Sequence, residues 1–407
     1  MKVLFTFGGL PHYYNFVLSN LNEVNNLSIF VITPESKGET LGKGVFQSTE
    51  GINFRLIKTT EYNSWYGKVF LKNLSKYVKD IKPDVLVIIW PYVISLIFRP
   101  LFLYRLKKNK IKIIYKSIPF GVPKFKDGLT FKSKILNEEG ILQKGLAHNI
   151  NILFLTIMRK IYLNIIDAHV NYIEDAYDIL GSYGVPKEKI FITYNSPNTE
   201  ILFEAKNKAE NNDPILPENF YRIIHIGRLV KWKKVDLLIN AVSKLKEKYS
   251  NIELIVIGSG PEEEKLKELA KTLNTDKNIK FIGSVYDTVM LGRYLMSSSI
   301  YVLAGIGGLS INEAMAFEKP VICSVCDGTE KKLVREDFNG KFFKEDDLDD
   351  LVKKIDLLLG NKEKLNQMGN NSLSIIKDEV NIHTVINGYI KAFNFVTGNK
   401  YNLSYNQ

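Results

Sequence analysis

Short apolar runs alternate along the chain with stretches of helical spacing. In the first half, strand-like runs fall at residues 1–7, 27–33, 52–57, 85–90, 111–117, 168–172 and 190–194, with helical spacing at 13–23, 67–81 and 174–183. The run at 85–90 shows no polar alternation, as expected of a strand covered on both faces in a parallel sheet. The second half repeats the rhythm more cleanly. Strands are expected at 221–226, 252–257, 280–282, 300–303 and 321–324, and helices at 235–249, 261–273, 289–296, 346–359, 362–376 and 381–395. Alternation of this kind predicts an α/β fold: two Rossmann-like, doubly wound parallel-sheet domains facing across a cleft. Ligands of such sheets bind outside the carboxyl ends of the strands.

Two apolar stretches need separate treatment. Residues 91–106 are apolar and aromatic but are interrupted by Pro91, Arg99 and Pro100; they read as a helix lying against the sheet or at a membrane surface. Residues 150–166 carry Arg159 and Lys160 in mid-run and read as a buried helix in preference to an interfacial one. Neither offers the ~20 uninterrupted apolar residues of a spanning helix, and a span would strand both charges at the midplane. Residues 37–51 and 119–134 read as loops. The polar, proline-bearing residues 204–218 read as the link between domains. The expected organisation is a first domain at 1–204, a linker at 205–218, a second domain at 219–380, a helix at 381–395 that packs back on the first domain, and a tail at 396–407.

Composition narrows the class. A chain of 407 residues with 45% hydrophobic and 24% charged residues is globular and long enough for two cores. Two cysteines exclude a disulfide framework. The opening residues lack the apolar core and cleavage site of a signal peptide, which leads to an expectation of cytoplasmic residence. The net charge of +11 is uneven: residues 1–204 hold 26 Lys and Arg against 17 Asp and Glu, and the remainder 29 against 27. Between Arg99 and Lys134 stand eleven basic residues and one acid, Asp127. This is either a solvated face or an attraction for an anionic partner, such as an acidic membrane surface or a lipid diphosphate. No nucleic-acid-binding signature accompanies it.

The candidate chemistry gathers at strand ends. The stretch 300–324 reads as strand, glycine turn, helix and strand, with Gly305, Gly307 and Gly308 in the turn and Glu313 in the first turns of the helix. A helix opening from such a turn presents unpaired amides and a positive dipole end, suited to phosphate or sugar oxygens. After the strand at 221–226, Arg228 and Lys233 could converge on one anion. Gly258-Ser259-Gly260-Pro261 is a second strand-to-helix glycine turn. In the first half, Gly8-Gly9 is followed by His12, but no G-x-G-x-x-G fingerprint is present. Cys323 and Cys326 form a lone C-x-x-C, without the second ligand pair of a zinc site.

Taken together, these motifs resemble the retaining glycosyltransferases of family 4, which have the GT-B fold. Gly227-Arg228-Leu229 with Lys233 is similar to that family's G-R-L…K-G element, with Lys234 in place of the glycine. Gly258-Ser259-Gly260-Pro261, Phe281-Ile282-Gly283 and the run Gly308-Leu309…Glu313-Ala314-Met315-Ala316…Pro320-Val321-Ile322 match further elements, and Gly184-Val185-Pro186…Asn195 resembles the segment before the linker. The resemblance implies transfer of a hexosyl group from a nucleotide sugar, of UDP type, to a glycan or lipid-linked acceptor in bacterial surface polysaccharide synthesis, such as capsule or O-antigen. It implies no metal and no cofactor beyond the donor, and peripheral attachment at the inner face of the plasma membrane. Carried over, Arg228 and Lys233 neutralise the leaving diphosphate and Glu313 accepts from the ribose diol. Gly258, Gly283, Gly307, Gly308 and Leu309 line the donor; Gly8, Gly9, His12 and Lys116 lie on the acceptor side. Two positions depart from the pattern. Gly305 stands where the first glutamate of E-x7-E is usual, and Lys116-Ser117 replace a usual histidine. Two other readings stay open: a catalytically degenerate nucleotide-sugar binder at the membrane, motivated by Gly305, and a GT-B sugar-nucleotide epimerase.

Overall fold

The uninterrupted apolar runs become strands of two parallel sheets. In a computed structural model of the chain, the described residues are 1–35, 40–41, 45–65, 67–118, 122–130, 145–326 and 328–401. They divide into two units, Met1–Tyr194 with His383–Gln407, and Asn195–Ile382. Parts of the loops expected at 37–51 and 119–134, and the end of the tail at 396–407, lie outside the described residues.

The first unit is built on β1 (Lys2–Thr6), β2 (Ser28–Pro34), β3 (Arg55–Thr59), β4 (Val85–Ile89), β5 (Lys112–Lys116), β6 (Ala168–Asn171) and β7 (Ile190–Ile192). Their spatial order is β7-β6-β5-β4-β1-β2-β3, parallel throughout. Val3, Leu4 and Phe5 of β1 pair with Val85, Leu86 and Val87 of β4, and all six are fully buried. The helix Ile382–Thr397 closes the chain in this unit. Tyr389 and Phe393 meet Phe5 edge-on, with ring centroids 5.9 and 6.4 Å away, and the Tyr389 hydroxyl bonds to that of Tyr14.

The second unit holds β8 (Arg222–Ile226), β9 (Glu253–Ile257), β10 (Ile279–Gly283), β11 (Ile300–Leu303), β12 (Val321–Cys323) and β13 (Gly340–Phe342), in the order β10-β9-β8-β11-β12-β13. The chain direction across the sheet reverses between β8 and β11, where Ile223 pairs with Ile300 and Ile224 with Tyr301. A reversal of this kind leaves a crevice at the carboxyl edge.

Several expected elements are corrected. Residues 67–81 are not one helix: Val69–Leu71 is a strand pairing antiparallel with Glu61–Asn63, and the helix is Leu74–Ile81, set off by Asn73 at φ +59°. Residues 91–106 break at the prolines into short helices, the last being Pro100–Lys108 with proline at its start, where a missing N–H costs nothing. Much of the stretch read as a linker is helix instead. Thr199–Glu210 is helical because the Asn198 side chain accepts from the amides of Glu200 and Ile201. Of residues 150–166 all but Ile166, the extended cap, belong to the helix Leu146–Ile165, which is not buried all round. Ile152, Tyr162 and Leu163 pack inward, while Leu146, Ile150, Phe154, Ile157 and Ile161 are exposed. Its apolar residues occupy two faces, and a helix on a sheet buries only one.

Candidate active site

Three loops are laced together at the carboxyl edge of the second sheet. The Gly227 amide donates to the Ile257 carbonyl at 2.9 Å, the Leu229 amide to that of Ser259 at 2.9 Å, and the Gly258 amide to that of Gly283 at 2.8 Å. Gly258 has φ +135°, and a Cβ there would lie 1.9 Å from the Gly227 oxygen, so the close approach requires glycine. Gly283 ends β10 at φ +81°.

The turn after β8 carries Arg228 and Lys233 and lies against the glycine turn after β11. The Lys233 ammonium donates to the carbonyls of Ile306 at 2.8 Å and Gly307 at 3.0 Å, and the side chain is nearly buried. In return, the Ile306 amide donates to the Trp232 carbonyl at 3.0 Å. Gly305 sits at the tightest point. A Cβ there would fall 2.0 Å from the Trp232 oxygen and 2.8 Å from the Lys233 Cα, so the position usual for a glutamate has no room for any side chain. Gly308 is looser, its Cβ position being 3.4 Å from Lys233 Nζ. Among the described residues, the amides of Gly307, Gly308 and Leu309 donate to no protein acceptor.

Arg228 is half-buried with its guanidinium 5.8 Å from the Trp232 ring centroid. Burial lowers its pKa, but an arginine stays charged at neutral pH. Glu313 lies on the helix Ser310–Ala316, and its carboxyl has no hydrogen-bond or ion-pair partner among the described residues. Burial raises its pKa to about 7. The start of that helix is fixed by Tyr301 of β11, whose hydroxyl donates to Ser310 Oγ at 2.8 Å. Asn312 Nδ2 donates to the Asn195 carbonyl at 3.3 Å.

His225 is a residue that sequence reasoning missed. It is fully buried in β8, its Nδ1 donates to the Val302 carbonyl at 3.0 Å, and Nε2 has no partner among the described residues. A Cβ on Gly227 would lie 3.5 Å from that Nε2 and 3.6 Å from Lys233 Cε, so the imidazole sits under the Arg228–Lys233 turn. Burial is the main cause that lowers its pKa to about 4, with the Lys233 charge adding to it, so the ring is neutral. Its only sequence signal is a polar residue inside an apolar strand, two positions before Gly227. Lys234, in place of the resembled glycine, has φ +52°, a left-handed conformation in which glycine is unstrained, and pairs with Glu345 at 2.9 Å and Asp346 at 2.7 Å.

The remaining candidates belong to the first unit. Gly8 follows β1, and its Cβ position is 3.8 Å from the Tyr92 hydroxyl. Gly9 comes next at φ +146°. His12 is exposed at the start of the helix His12–Glu23, edge-on to Tyr13 at 5.7 Å. Lys116 ends β5 with its ammonium 4.8 Å from the centroid of the Tyr14 ring, and burial lowers its pKa to about 8. Both cysteines are free. Burial raises the Cys323 thiol and moves that of Cys326 up to about 11, so neither is a thiolate at neutral pH.

Two doubly wound parallel-sheet units with this edge of laced glycine turns have the GT-B glycosyltransferase fold. Solved structures that share it include HepE from Anabaena in complex with UDP (TM-score 0.67, 15% identical, covering 97% of this chain and 100% of that one). A glycosyltransferase from Rickettsia africae is similar too (TM-score 0.69, 15% identical, 98% and 99%). The family described as Glycosyl transferases group 1 matches residues 206–374, which include every second-unit residue of this site except Asn195. Among curated relatives, a Haemophilus influenzae protein described as an uncharacterized glycosyltransferase is 33% identical over 195 residues, 47% of this chain and 52% of that protein. The poly(ribitol-phosphate) alpha-N-acetylglucosaminyltransferase of Staphylococcus aureus is 23% identical over 230 residues, 54% and 45%. The chain thus spans about half the length of the curated relatives it matches.

Proposed function

We propose that this protein is a glycosyltransferase that moves a hexosyl group from a UDP-sugar to a glycan or lipid-linked acceptor of a bacterial surface polysaccharide, with retained anomeric configuration and without a metal ion. The observation that carries this reading is the Lys233 ammonium bound to the carbonyls of the glycine turn whose next amides, Gly307 to Leu309, have no protein acceptor among the described residues. The charge and the amides form one anion seat. In it, Lys233 and Arg228 take up the negative charge that develops on the departing diphosphate, where partial exclusion of water makes fixed cations effective. Glu313 in its ionised form accepts the two ribose hydroxyls. Gly258 and Gly283 let the neighbouring loops approach the nucleotide closely. Gly8, Gly9, His12 and Lys116 of the first unit are assigned to the acceptor.

The Staphylococcus aureus enzyme named above, a poly(ribitol-phosphate) alpha-N-acetylglucosaminyltransferase, supports transfer of a hexosyl group to a polymeric acceptor. The test is release of UDP from a panel of UDP-sugars with lipid-linked and soluble glycan acceptors, in the presence of EDTA. Turnover that persists in EDTA and falls at least ~10²-fold in Arg228→Ala is expected. Turnover that needs a divalent cation, or survives Arg228→Ala, overturns the assignment. The crowding at Gly305 favours a second reading, a binder that holds the nucleotide sugar without transferring it. Saturable UDP-sugar binding with no UDP release across the panel selects that reading.

A further inference from the structure

Two helices of the first unit end at the amino edge of its sheet. Leu74–Ile81 leads through Lys82 into β4, and Pro100–Lys108 leads through Lys110 into β5. Both ends line a cavity of about 1050 Å³, whose charged wall is Lys79, Lys82, Arg105, Lys108, Lys110 and Lys112. The cavity lies where the strands begin. Gly8 and Lys116 stand at the other edge of the same sheet, past the ends of β1 and β5.

Basic residues near a helix C-terminus ordinarily answer its dipole, and Lys79, Arg105 and Lys108 do stand in last turns. The dipoles account for little of this charge. Each helix end carries about half a negative charge. The one carboxylate in the lining among the described residues, Asp84, adds a full charge and accepts from the Lys2 amide at 2.7 Å. Six cations therefore face about two negative charges. None of the six side chains has a hydrogen-bond or ion-pair partner among the described residues, whereas Lys107, on the same helix but outside the lining, pairs with Asp167 at 3.5 Å. Cations of one sign gathered in a hollow focus their field on whatever enters it. The apolar side chains Val78, Phe102 and Ile111 of the lining are buried, so the hollow offers no apolar edge to a bilayer, and a flat bilayer meets protrusions first. The volume is that of a small-molecule site. A single phosphate there would leave most of the cations unmet.

We propose that this cavity binds a small soluble ligand that carries a run of phosphate groups. Arg105 offers its planar fork to one phosphate, and the lysines around it supply point charges to the others. The site is separate from the donor seat of the second unit, and no step of transfer is assigned to it.

Inorganic tripolyphosphate is the probe. The full chain is titrated calorimetrically with tripolyphosphate and with orthophosphate, as the parent and as Arg228→Ala, which weakens the donor seat as a second place for phosphates. A single saturable site per chain should remain in Arg228→Ala. It should take tripolyphosphate at least ~10-fold more tightly than orthophosphate, and less tightly at high salt. Lys79→Glu with Arg105→Glu should lower that affinity at least ~10-fold. Lys271→Glu with Lys277→Glu makes the same change in net charge on the second unit and should leave it unchanged. All four side chains are exposed, and an unchanged melting midpoint checks the fold; Lys79→Gln with Lys108→Gln is the milder pair. No donor or acceptor is present, so a failed transfer assay leaves these outcomes standing, and their failure leaves the transfer reading standing. Four results overturn the proposal: equal affinity for the two anions, uptake without a defined stoichiometry, equal losses in the two charge-reversed pairs, or sedimentation of the parent with phosphatidylglycerol vesicles that Lys79→Glu with Arg105→Glu abolishes, which would give these cations to a membrane.

Discussion

Lys233 holds its charge at a nearly buried position and uses it to fasten a neighbouring turn. The sequence marks it as a basic residue after a strand end but is silent on that fastening, because the carbonyls it binds come from residues more than seventy positions away. His225 is hidden for a related reason: in one dimension it is a polar interruption of an apolar strand, and only the fold places it under Gly227. Gly305 is readable as a departure from E-x7-E, yet the cause is steric and appears only in three dimensions. Gly305→Ala must displace the Trp232 carbonyl, at a cost of about 1–3 kcal/mol, whereas Gly308→Ala meets only the movable end of Lys233 and should be nearly neutral. Thermal melts of the two variants distinguish these outcomes, and equal melting temperatures would contradict the packing described. Glu313 supplies a pH prediction. With its free carboxyl at about 7, its ionised form grows as pH rises through 7, so donor affinity should increase from pH 6 to pH 8. The sign for stability is opposite. The folded state holds a proton on Glu313 between about pH 4.5 and 7 that the unfolded chain releases, so this group contributes less stability as pH rises across that window. Glu313→Gln should flatten the affinity profile and raise the melting midpoint at pH 8. Titrations of UDP at several pH values, with melts alongside, check both.

Among the elements, the strands were the easiest to read, since β4, β8 and β9 are covered on both faces and carry no alternation to misinterpret. The hairpin at 61–71 was harder. Val69, Phe70 and Leu71 continue into helical spacing, and the break depends on the left-handed Asn73, which no local apolar pattern announces. β13 escaped detection because Gly340–Phe342 is a three-residue strand containing a glycine and a lysine. The edges of β8 and β9 are held by a buried ion pair. Arg222 bonds to Glu253 and donates to the carbonyls of Ser297 at 2.6 Å and Pro217 at 2.8 Å. Burial alone would raise the Glu253 carboxyl, but Lys280 and Arg222 together hold it below the usual range. Arg222→Ala removes one partner of a buried pair, which costs about 3 kcal/mol. The second unit should therefore melt roughly 6–12 °C lower. A change within 1–2 °C (roughly 0.5 kcal/mol) would show that Lys280 alone satisfies Glu253.

At the scale of the whole molecule, the sequence carried the two-sheet α/β plan, and the GT-B fold agrees with it. It marked the turn from one unit to the next less well. The prolines and asparagines at 211–217 look like a linker, yet the units divide at Tyr194 and Asn195, ahead of a capped helix that belongs to the second unit. The chain then crosses once more at Ile382–His383. Composition changes little at either crossing, so no one-dimensional signal marks them. The central claim is that Arg228, Lys233 and the amides of Gly307 to Leu309 together hold the diphosphate of a nucleotide. Calorimetric titration of the full chain with UDP and with uridine tests it most directly, repeated on Arg228→Ala. The account predicts that UDP binds far more tightly than uridine, and that Arg228→Ala reduces that advantage at least ~10-fold while uridine binding stays unchanged. Equal affinity for UDP and uridine in the parent, or an advantage that Arg228→Ala leaves intact, would contradict it.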